Sequence, residues 1–443
     1  MKTFKIGGAH PPENKLSAGK PTKKLELPNQ AIISLAQNLG APSIPLVKKG
    51  DKVKVGTVIA KPGAFVGAYL HSSVSGTVAK IDDVMDISGY KRSAVIIDVE
   101  GDEWEEEIDT SDELITECTL GPHEIIQKIE QAGIVGLGGA TFPSHVKLSP
   151  PPGYHAEVLI INAVECEPYL TSDHQLMLEH PAEIIIGVEL LMEAIQVSKA
   201  YIGVEDNKPD AINLLIKEAK KRNKKEIWIV PLKVQYPQGG EKQLIDAVIE
   251  RQVPSGKLPV SVGAVVQNVG TVYAVYQAIQ KNRPLIDRVV TVTGKKMSDP
   301  SNLQVRIGTP IKQLIDAAGG VPENTDKIVS GGPMMGKALS TIDVATTKGC
   351  SGILLIPSLE AQRKEMNACI RCAKCVRVCP MGLEPYLLMT ATDKVIYEKC
   401  EKERIMDCIE CGCCSFTCPS NRPLLDYIRL GKNKVGTLIR SRK

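Results

Sequence analysis

The feature that most constrains this chain is a cysteine pattern that occurs twice near its C-terminus. Ten of its 13 cysteines lie within the last 75 residues. Eight of them follow the spacing C-x2-C-x2-C-x3-C-P in two copies: Cys369, Cys372, Cys375 and Cys379, then Cys408, Cys411, Cys414 and Cys418. Thiols that are so crowded favour a shared inorganic ligand over independent disulfides.

The spacing also predicts which cysteines act together. It is the spacing of bacterial proteins that carry two [4Fe–4S] clusters, in which the fourth cysteine of each run ligates the other cluster. Three thiolates on one tight loop reach three irons of a cube, so the fourth thiolate comes from elsewhere. One predicted cluster therefore has the ligands Cys369, Cys372, Cys375 and Cys418, and the other has Cys408, Cys411, Cys414 and Cys379.

Structural zinc is the main alternative, and a lone C-x2-C would favour it. The doubled pattern favours clusters instead. Disulfides fit less well, because we also expect no signal peptide at the start of the sequence. Most of the other cysteines are predicted to be small buried side chains, and Cys413 is off the register of the second motif.

Charge narrows the choice of partners. The net charge of +3 gives no general attraction for nucleic acid. From residue 361 onward, 16 Lys and Arg stand against 9 Asp and Glu. This excess is either a solvated tail, ending in Arg440, Arg442 and Lys443, or a docking surface for an acidic partner or an anionic membrane.

No segment predicts a membrane span. The most apolar candidate, residues 181–197, contains three glutamates and predicts an amphipathic helix. With reduced iron–sulfur chemistry and no expected signal peptide, the sequence predicts a peripheral protein on the cytoplasmic side of the cell membrane.

Apolar runs and turn residues predict a multidomain α/β chain. Residues 48–53 and 74–78 resemble a lipoyl-type barrel-sandwich domain. They lack a lysine in the usual carrier context, so a scaffold is expected. The predicted segments are an extended arm (1–30), a barrel-sandwich-like β domain with an acidic linker (31–112), an α/β domain with a parallel sheet (113–285), a β-grasp-like module (286–357) and a helical ferredoxin-type domain (358–443).

A glycine-rich run follows the first predicted helix of the α/β domain. Gly136, Gly138 and Gly139 would let backbone N–H groups approach a phosphate or a flat ring. The run does not complete the Rossmann fingerprint, because Thr141 stands where the third glycine belongs. On this evidence alone, a plain turn explains the run equally well.

Polar residues follow directly on a strand predicted at residues 158–162. Asn162, Glu165 and Glu167 come at its carboxyl end, where open α/β sheets gather their ligand sites. Such side chains suit hydrogen bonding to a ring or a ribose. Two further polar, glycine-containing runs are YPQGGEK at 236–242 and NVGT at 268–271.

Together these segments resemble one family. The FMN- and NADH-binding subunit of respiratory complex I is similar in G-x-G-G-A-x-F-P-x3-K at 136–147, N-x2-E-x-E-P at 162–168, Y-x4-E at 236–241 and Asn268. The order of the whole chain resembles more closely a related family, the C subunit of the Rnf electron-transport complex. The run SGGPMMG at 330–336 is especially similar to that family.

The resemblance implies that residues 113–285 bind FMN non-covalently and NADH as substrate. The implied FMN contacts are Gly136, Gly138 and Gly139 along ring and phosphate, Lys147 on the phosphate, Asn162 and Glu165 facing the ring, Tyr236 at its border, and Asn268 and Thr271 closing the phosphate side. For NADH, it implies Phe142 and Glu167 beside the nicotinamide nucleotide and Glu241 on the adenine ribose.

No side chain is expected to be catalytic in its own right, since hydride transfer would occur on FMN with Glu167 nearby. The chain departs from the complex I pattern at four positions, which bear on NADH more than on the flavin. They are Leu137, Thr141, Pro150 and Gly240.

The resemblance implies a peripheral subunit that passes electrons from NADH through FMN to two [4Fe–4S] clusters, or in reverse. Flavin is needed because nicotinamide exchanges two electrons at once and a cluster exchanges one. In the Rnf family this transfer is coupled to ferredoxin and to ion translocation by partner subunits, which include a membrane flavoprotein and ferredoxin-like subunits. The alternatives are a cobalamin reductase, a soluble diaphorase subunit and a scaffold with an inactive flavin site.

Overall fold

The computed structural model describes residues 1–222 and 226–442, so Lys443 of the basic C-terminus lies outside the described residues. In this range the chain forms an N-terminal arm and four structural units, which follow one another along the chain. The arm contributes one short strand, β1 (Lys23–Lys24), which pairs in parallel with a strand of the third unit.

The first unit is a sandwich of two small antiparallel sheets. One sheet has the order β2-β8-β7-β4, and the other has the order β3-β5-β6. The strands are β2 (Gln30–Ser34), β3 (Ile44–Pro45), β4 (Lys52–Val53), β5 (Val58–Lys61), β6 (Leu70–His71), β7 (Ser75–Met85) and β8 (Lys91–Gly101). Because successive side chains of a strand point to opposite faces, residues such as Ile33 and Ile97 fill the space between the sheets.

The second unit is a parallel sheet with helices on its faces. Its strands are β9 (Val158–Asn162), β10 (Ala200–Glu205), β11 (Ile227–Leu232) and β12 (Ala264–Asn268), in the order β11-β10-β9-β12. Its helices are α1 (Pro122–Gln131), α2 (Ser144–Lys147), α3 (Ser172–Glu179), α4 (Pro181–Ala194), α5 (Pro209–Lys221), α6 (Glu241–Ile249) and α7 (Val269–Gln280), with a 3-10 turn at Pro259–Val262. The apolar run of β9 is buried, as expected for a central parallel strand.

The third unit is a mixed sheet that β1 extends to six strands in the order β1-β14-β13-β17-β15-β16. Its own strands are β13 (Asp287–Thr293), β14 (Ser301–Arg306), β15 (Thr325–Ser330), β16 (Lys337–Ala338) and β17 (Gly352–Pro357). Two helices accompany them, α8 (Ile311–Ala317) and α9 (Ser358–Ala361).

The regular secondary structure described in the fourth unit is all helical. Its helices are α10 (Lys374–Arg377), α11 (Pro385–Asp393), α12 (Tyr397–Lys402), α13 (Cys413–Thr417) and α14 (Leu424–Ser441), with a 3-10 turn at Ile405–Asp407. A small core that includes Leu388, Leu424 and Ile428 packs α14 against α11. The long C-terminal helix therefore closes the cysteine-rich unit.

The segment 181–197 differs from its predicted amphipathic form. Its helix α4 is buried on most sides, with Ile184, Ile185 and Ile186 at most 1 % exposed. The reason is its position between α1, α5, α7 and the sheet. In the part of the chain that the structure describes, no helix is both long and apolar enough to cross a membrane.

Lys348 joins the first three units through a buried amine. Its Nζ atom donates to the carbonyl oxygens of Tyr69, at 2.9 Å, and Gly133, at 2.6 Å. The Gln37 amide oxygen accepts from its backbone N–H at 2.8 Å. Burial lowers the pKa of Lys348 to about 7. A neutral amine has two N–H donors, which match the two carbonyls.

Lys348 should make the stability of this junction depend on pH. Its folded pKa of about 7 lies below its ordinary value of 10.5, so between these values the unfolded state binds the proton that the folded state lacks. The free energy of unfolding relative to Lys348→Met should therefore rise above pH 7, by up to about 1.4 kcal/mol per pH unit. Urea unfolding followed by the fluorescence of the two tryptophans would measure this difference. Lys296→Met, at an exposed lysine, is the control. If the free energy difference between the wild type and Lys348→Met did not change with pH, as expected for the control, the prediction would be contradicted.

Candidate functional site

The candidate site lies at the carboxyl edge of the parallel sheet. The last residues of β9 and β12, Asn162 and Asn268, are direct partners in the strand register. The Asn162 amide donates to the Gly239 carbonyl oxygen at 2.8 Å, which fixes the loop before α6 against β9. Three segments that are far apart in sequence thus meet at the edge where open α/β sheets bind ligands.

The glycine-rich loop lies beside this edge. The Gly136 amide donates to the Phe142 carbonyl oxygen at 2.9 Å, so that residues 136–142 form a short closed loop. The Thr271 hydroxyl accepts from the Leu137 amide at 2.9 Å. Thr271 is fully buried. Its role in the structure is therefore to hold the loop at the N-terminus of α7.

The exposed top of the loop has the form of a ligand cradle. Among the described residues, no hydrogen bond is donated by the backbone amides of residues 138–140. A Cβ atom on Gly138 would lie 2.7 Å from Asn268 Nδ2, whereas one on Gly139 would meet no atom within 4 Å. Free amides and open space beside a helix N-terminus fit a phosphate or a flat ring.

Asp173, in the first turn of α3, belongs to this edge although it is absent from the predicted set. Its carboxylate accepts from Asn268 Nδ2 at 2.7 Å, while Asn268 Oδ1 accepts from the Gly270 amide at 2.8 Å. These bonds orient the Asn268 side chain, which caps α7. Burial, followed by the Glu165 carboxylate, raises the pKa of Asp173 to about 7. In the sequence, Asp173 signals only an acidic first helical turn.

Glu165 caps a helix in this structure. Its carboxylate accepts from the backbone amides of Asp173, at 2.8 Å, and His174, at 3.1 Å. The positive end of the α3 dipole favours a carboxylate at this place. The predicted contact with a flavin ring would therefore have to come from a carboxylate that already holds α3.

Glu167 reaches from the second unit to the third. One of its carboxylate oxygens accepts from the amides of Met334, at 2.7 Å, and Met335, at 3.0 Å. A Cβ atom on Gly332 would lie 2.1 Å from Glu167 Cγ, so only glycine allows this approach. Burial raises the pKa of Glu167, which the two amides oppose. The run at 330–336 thus receives Glu167, and the structure places this carboxylate at a junction between units.

Tyr236 joins the candidate site to the cysteine-rich unit. Its hydroxyl donates to the Cys411 carbonyl oxygen at 2.8 Å. The side chain is 3 % exposed and packs with Ala9, Cys411 and Cys413. Burial, followed by the negative charge of Glu167, raises the pKa of Tyr236 well above its ordinary value. The hydroxyl is therefore a neutral donor at the contact.

Lys147 and Glu241, which were predicted to bind different nucleotides, contact each other. Lys147 Nζ lies 2.7 Å from Glu241 Oε1 and also donates to the Val266 carbonyl oxygen at 3.2 Å. The two side chains are 29 % and 38 % exposed, so solvent screens the pair and its contribution to stability is small. Either partner can therefore turn to a nucleotide at little cost.

Four cysteines that were predicted to share a cluster line one cavity in the fourth unit. We call Cys379, Cys408, Cys411 and Cys414 the inner cysteines. Burial raises the pKa of Cys414 to about 12, and the thiols of the other three add to the rise. The last cysteine of the first motif thus lies with the first three of the second motif.

The outer cysteines are Cys369, Cys372, Cys375 and Cys418. Cys369 and Cys372 are exposed, and the other two are partly buried. Burial raises the pKa of Cys375, and the thiols of Cys418 and Cys369 raise it further. Within residues 1–222 and 226–442, no group of three or more His, Cys, Asp or Glu side chains is placed to hold a single metal ion.

The predicted site residues thus lie partly at the sheet edge and partly at contacts away from it. The sheet edge holds the glycine loop, Asn162, Asn268 and Thr271, and the partly buried Phe142 closes the loop. Of the others, Glu167 and Tyr236 contact neighbouring units, Glu165 caps α3, and Lys147 pairs with Glu241.

Sequence comparison gives three matches that follow the order of the units. Residues 2–102 match the RnfC barrel sandwich hybrid domain, residues 129–277 the Nuo51 FMN-binding domain, and residues 289–338 the SLBB domain. The predictions of a barrel-sandwich domain and a flavin-type α/β domain are therefore confirmed. Fold and site together define a flavin-domain subunit of an oxidoreductase complex.

Three relatives identify the family. The chain is 45 % identical to the C subunit of the proton-translocating ferredoxin:NAD(+) oxidoreductase complex of Clostridium ljungdahlii, covering 98 % of this chain and 94 % of the relative. It is 41 % identical to the C subunit of the Na(+)-translocating complex of Acetobacterium woodii, covering 98 % and 97 %. The C subunit of the ion-translocating oxidoreductase complex of Yersinia enterocolitica is 40 % identical, and the match covers 98 % of this chain and 62 % of that protein. The chain belongs to the family of Rnf C subunits, as the resemblance predicted.

Gly139→Leu should weaken FMN binding at least about tenfold, the effect of roughly 1.4 kcal/mol. The Cβ atom of the leucine would meet no other atom within 4 Å, so the thermal unfolding midpoint should stay nearly unchanged. Gly138→Trp should abolish FMN binding by displacing Asn268, while iron content persists. Flavin fluorescence titration and unfolding curves measure both effects. Full flavin content in both variants would show that the loop is an ordinary turn.

Cys379→Ser should damage the cluster that is predicted for the second motif, because Cys379 lines the same cavity as Cys408, Cys411 and Cys414. Cys418→Ser should damage the other cluster, and Cys118→Ser, at an exposed cysteine outside both motifs, should leave both intact. Iron and sulfide analysis with EPR distinguishes the two clusters. One zinc ion per motif in the purified chain would contradict the prediction.

Proposed function

We propose that this chain is the NADH-linked electron-transfer subunit of an Rnf-type complex, with FMN at the sheet edge and two [4Fe–4S] clusters in the fourth unit. The observation that carries the proposal is the 2.8 Å hydrogen bond from the Tyr236 hydroxyl to the Cys411 carbonyl oxygen. It sets the candidate flavin site directly against the cavity of the inner cysteines. The names of the relatives, which include ferredoxin:NAD(+) oxidoreductase, support the same activity.

The residues at the sheet edge suit FMN. The free amides of residues 138–140 and the N-terminus of α7 would take the phosphate, with Lys147 able to turn from Glu241. By the resemblance, Asn162 and Tyr236 would border the flavin ring. Bound FMN supplies the exchange between two-electron and one-electron steps that nicotinamide and a cluster require.

The two sets of cysteines suit different ends of an electron path. The inner cysteines line a buried cavity beside Tyr236. Cys369 and Cys372 of the outer set are exposed. We therefore assign the inner cysteines to the cluster nearer the flavin and the outer cysteines to the cluster nearer a partner.

NADH would approach the same edge from the side of α6. Phe142 offers a partly buried ring at the end of the glycine loop, and Glu241, the first residue of α6, offers a carboxylate to the adenine ribose. Glu167 is engaged with the run at 330–336. We therefore propose that Glu167 connects the nicotinamide side of the site to the third unit.

Attachment of this chain to the membrane would come from the other subunits of the complex. The relatives are named as C subunits of ion-translocating complexes, so we propose that this chain attaches peripherally to the cytoplasmic face through other subunits, among them a membrane flavoprotein and ferredoxin-like proteins. High salt or loss of the partner subunits should release it. If only detergent released the chain in the absence of its partners, a lipid-inserting segment would be indicated.

Bleaching of flavin and cluster absorbance by NADH in the purified chain tests the proposal directly. Both chromophores should bleach, because the path from FMN to the inner cysteines lies within one chain. Bound flavin that bleaches without any change of cluster absorbance would break the proposed path at Tyr236.

Glu241→Ala should raise the use of NADPH relative to NADH by about tenfold. The carboxylate would accept hydrogen bonds from the ribose hydroxyls of NADH and repel the 2′-phosphate of NADPH. The ratio of kcat/KM for the two cofactors measures the effect, with Glu193→Ala on the exposed face of α4 as the control. An unchanged ratio would remove Glu241 from the site.

A further inference from the structure

The N-terminal arm runs between the second and the fourth unit. The Gly8 amide donates to the Val378 carbonyl oxygen at 3.0 Å, just before the last cysteine of the first motif. The next arm residue, Ala9, exchanges two backbone hydrogen bonds with Tyr236, at 2.7 and 2.9 Å. Two adjacent residues of the arm therefore contact the first cysteine motif on one side and the second unit on the other.

Gly7 lies directly against the backbone of Cys379. A Cβ atom at position 7 would lie 2.6 Å from the carbonyl carbon and oxygen of Cys379 and 2.7 Å from the Val378 carbonyl oxygen. The φ angle of Gly7 is +74°, a conformation that favours glycine. Its carbonyl oxygen accepts from Gln235 Nε2 at 2.8 Å, so the second unit holds this residue from the other side. Any side chain at position 7 would therefore push against the Cys379 backbone.

The second unit anchors the arm on both sides of this contact. The Lys5 amide donates to the Asp246 carboxylate, on α6, at 3.0 Å. Lys15 Nζ donates to the carbonyl oxygens of Glu165 and Glu167, at 2.8 and 3.0 Å. Because the arm is fixed before and after the contact, a displacement there falls mainly on the fourth unit.

We propose that Gly7 is a positioning residue for the cluster of the inner cysteines, and that it acts through the backbone of Cys379. The inference rests on the proposed function, because it takes the inner cysteines to hold a [4Fe–4S] cluster and the sheet edge to hold FMN. Cys379 is the one inner cysteine that the second motif does not supply, so the loop of that motif cannot fix it. The arm supplies this support from the unit that would bind the flavin.

The same arm contacts the supports of both redox sites. Gly7 lies at Cys379, and Lys15 holds the turn that contains Glu165 and Glu167. The segment from Gly7 to Lys15 therefore fixes the spacing between a ligand of the inner cluster and the turn on the flavin side. This spacing matters because the rate of electron transfer falls steeply with distance.

A purely structural role is the alternative. Other contacts also hold this part of the fourth unit: Gln243 Nε2 donates to the Pro380 carbonyl oxygen at 3.1 Å, and the Tyr236 hydroxyl donates to the Cys411 carbonyl oxygen at 2.8 Å. The fourth unit should therefore stay attached when Gly7 is replaced, and the displacement should remain local. The two roles differ in whether the inner cluster changes or only the stability of the chain.

The test compares Gly7→Ala with Gly19→Ala in the full chain loaded with iron and FMN. Gly19 lies in the same arm and has nearly the same φ angle, +73°, but a Cβ atom there would meet no atom within 4 Å. It is therefore a control for backbone strain without the contact. Gly7→Ala should change the EPR signal and the midpoint potential of the inner cluster, which is identified by the signal that is lost in Cys379→Ser. It should also slow electron transfer from flavin to cluster about tenfold or more, whereas Gly19→Ala should change none of these.

Gln235→Ala provides a second variant, which is used if Gly7→Ala loses both clusters. It removes the hydrogen bond to the Gly7 carbonyl oxygen without adding a side chain against Cys379. It should shift the same EPR signal by a smaller amount, and an unchanged signal would then overturn the positioning role. Loss of the inner cluster alone from Gly7→Ala, with the outer cluster retained, would support that role.

The outcomes separate the two levels of the inference. Absence of clusters or of flavin from the unmodified chain would overturn the proposed function. Intact clusters in Gly7→Ala, with the EPR signal, potential and electron-transfer rate of Gly19→Ala, would overturn only the positioning role. A lower thermal unfolding midpoint with an unchanged inner cluster would likewise show that Gly7 supports the fold alone.

Discussion

One buried ammonium, that of Lys15, holds the turn on which the site depends. Its three N–H donors go to the carbonyl oxygens of Glu165, Glu167 and Leu170 at 2.8, 3.0 and 2.7 Å. Burial lowers the pKa of Lys15 and the Glu165 carboxylate opposes that, but an ammonium with all three donors accepted is stable in such a place. The turn it fixes sends Glu165 to α3 and Glu167 to the third unit. A residue of the N-terminal arm thus sets the position of side chains 150 residues further along the chain.

The contacts between the units are also buried hydrogen bonds. Tyr236 on Cys411, Glu167 on the run at 330–336, and Lys348 on Tyr69 and Gly133 are all buried polar contacts with their partners in place. Apolar surfaces can slide over one another, whereas a hydrogen bond fixes both distance and direction. An electron path between units needs such fixed spacing, and the polar junctions provide it.

Local structure could be predicted where one pattern dominated. The strand expected at 158–162 coincides with β9, because a buried apolar run is a property of the segment itself. The helix at 181–197 is buried on most sides instead of amphipathic, because its neighbours α1, α5 and α7 enclose it. Asp173 could not be predicted as part of the site, since its partner Asn268 is 95 residues away.

The sequence by itself determined the chemistry that is available: the two cysteine runs, the glycine loop, and the family to which the chain belongs. These follow from spacing, which is local. Only the tertiary structure decided which charges are neighbours. It paired Lys147 with Glu241 and turned Glu165 into a helix cap. It also buried most of the inner cysteines and left two of the outer cysteines exposed. Such pairings depend on the packing of distant segments, because electrostatic and hydrogen-bond partners are chosen by distance in space and not by distance along the chain.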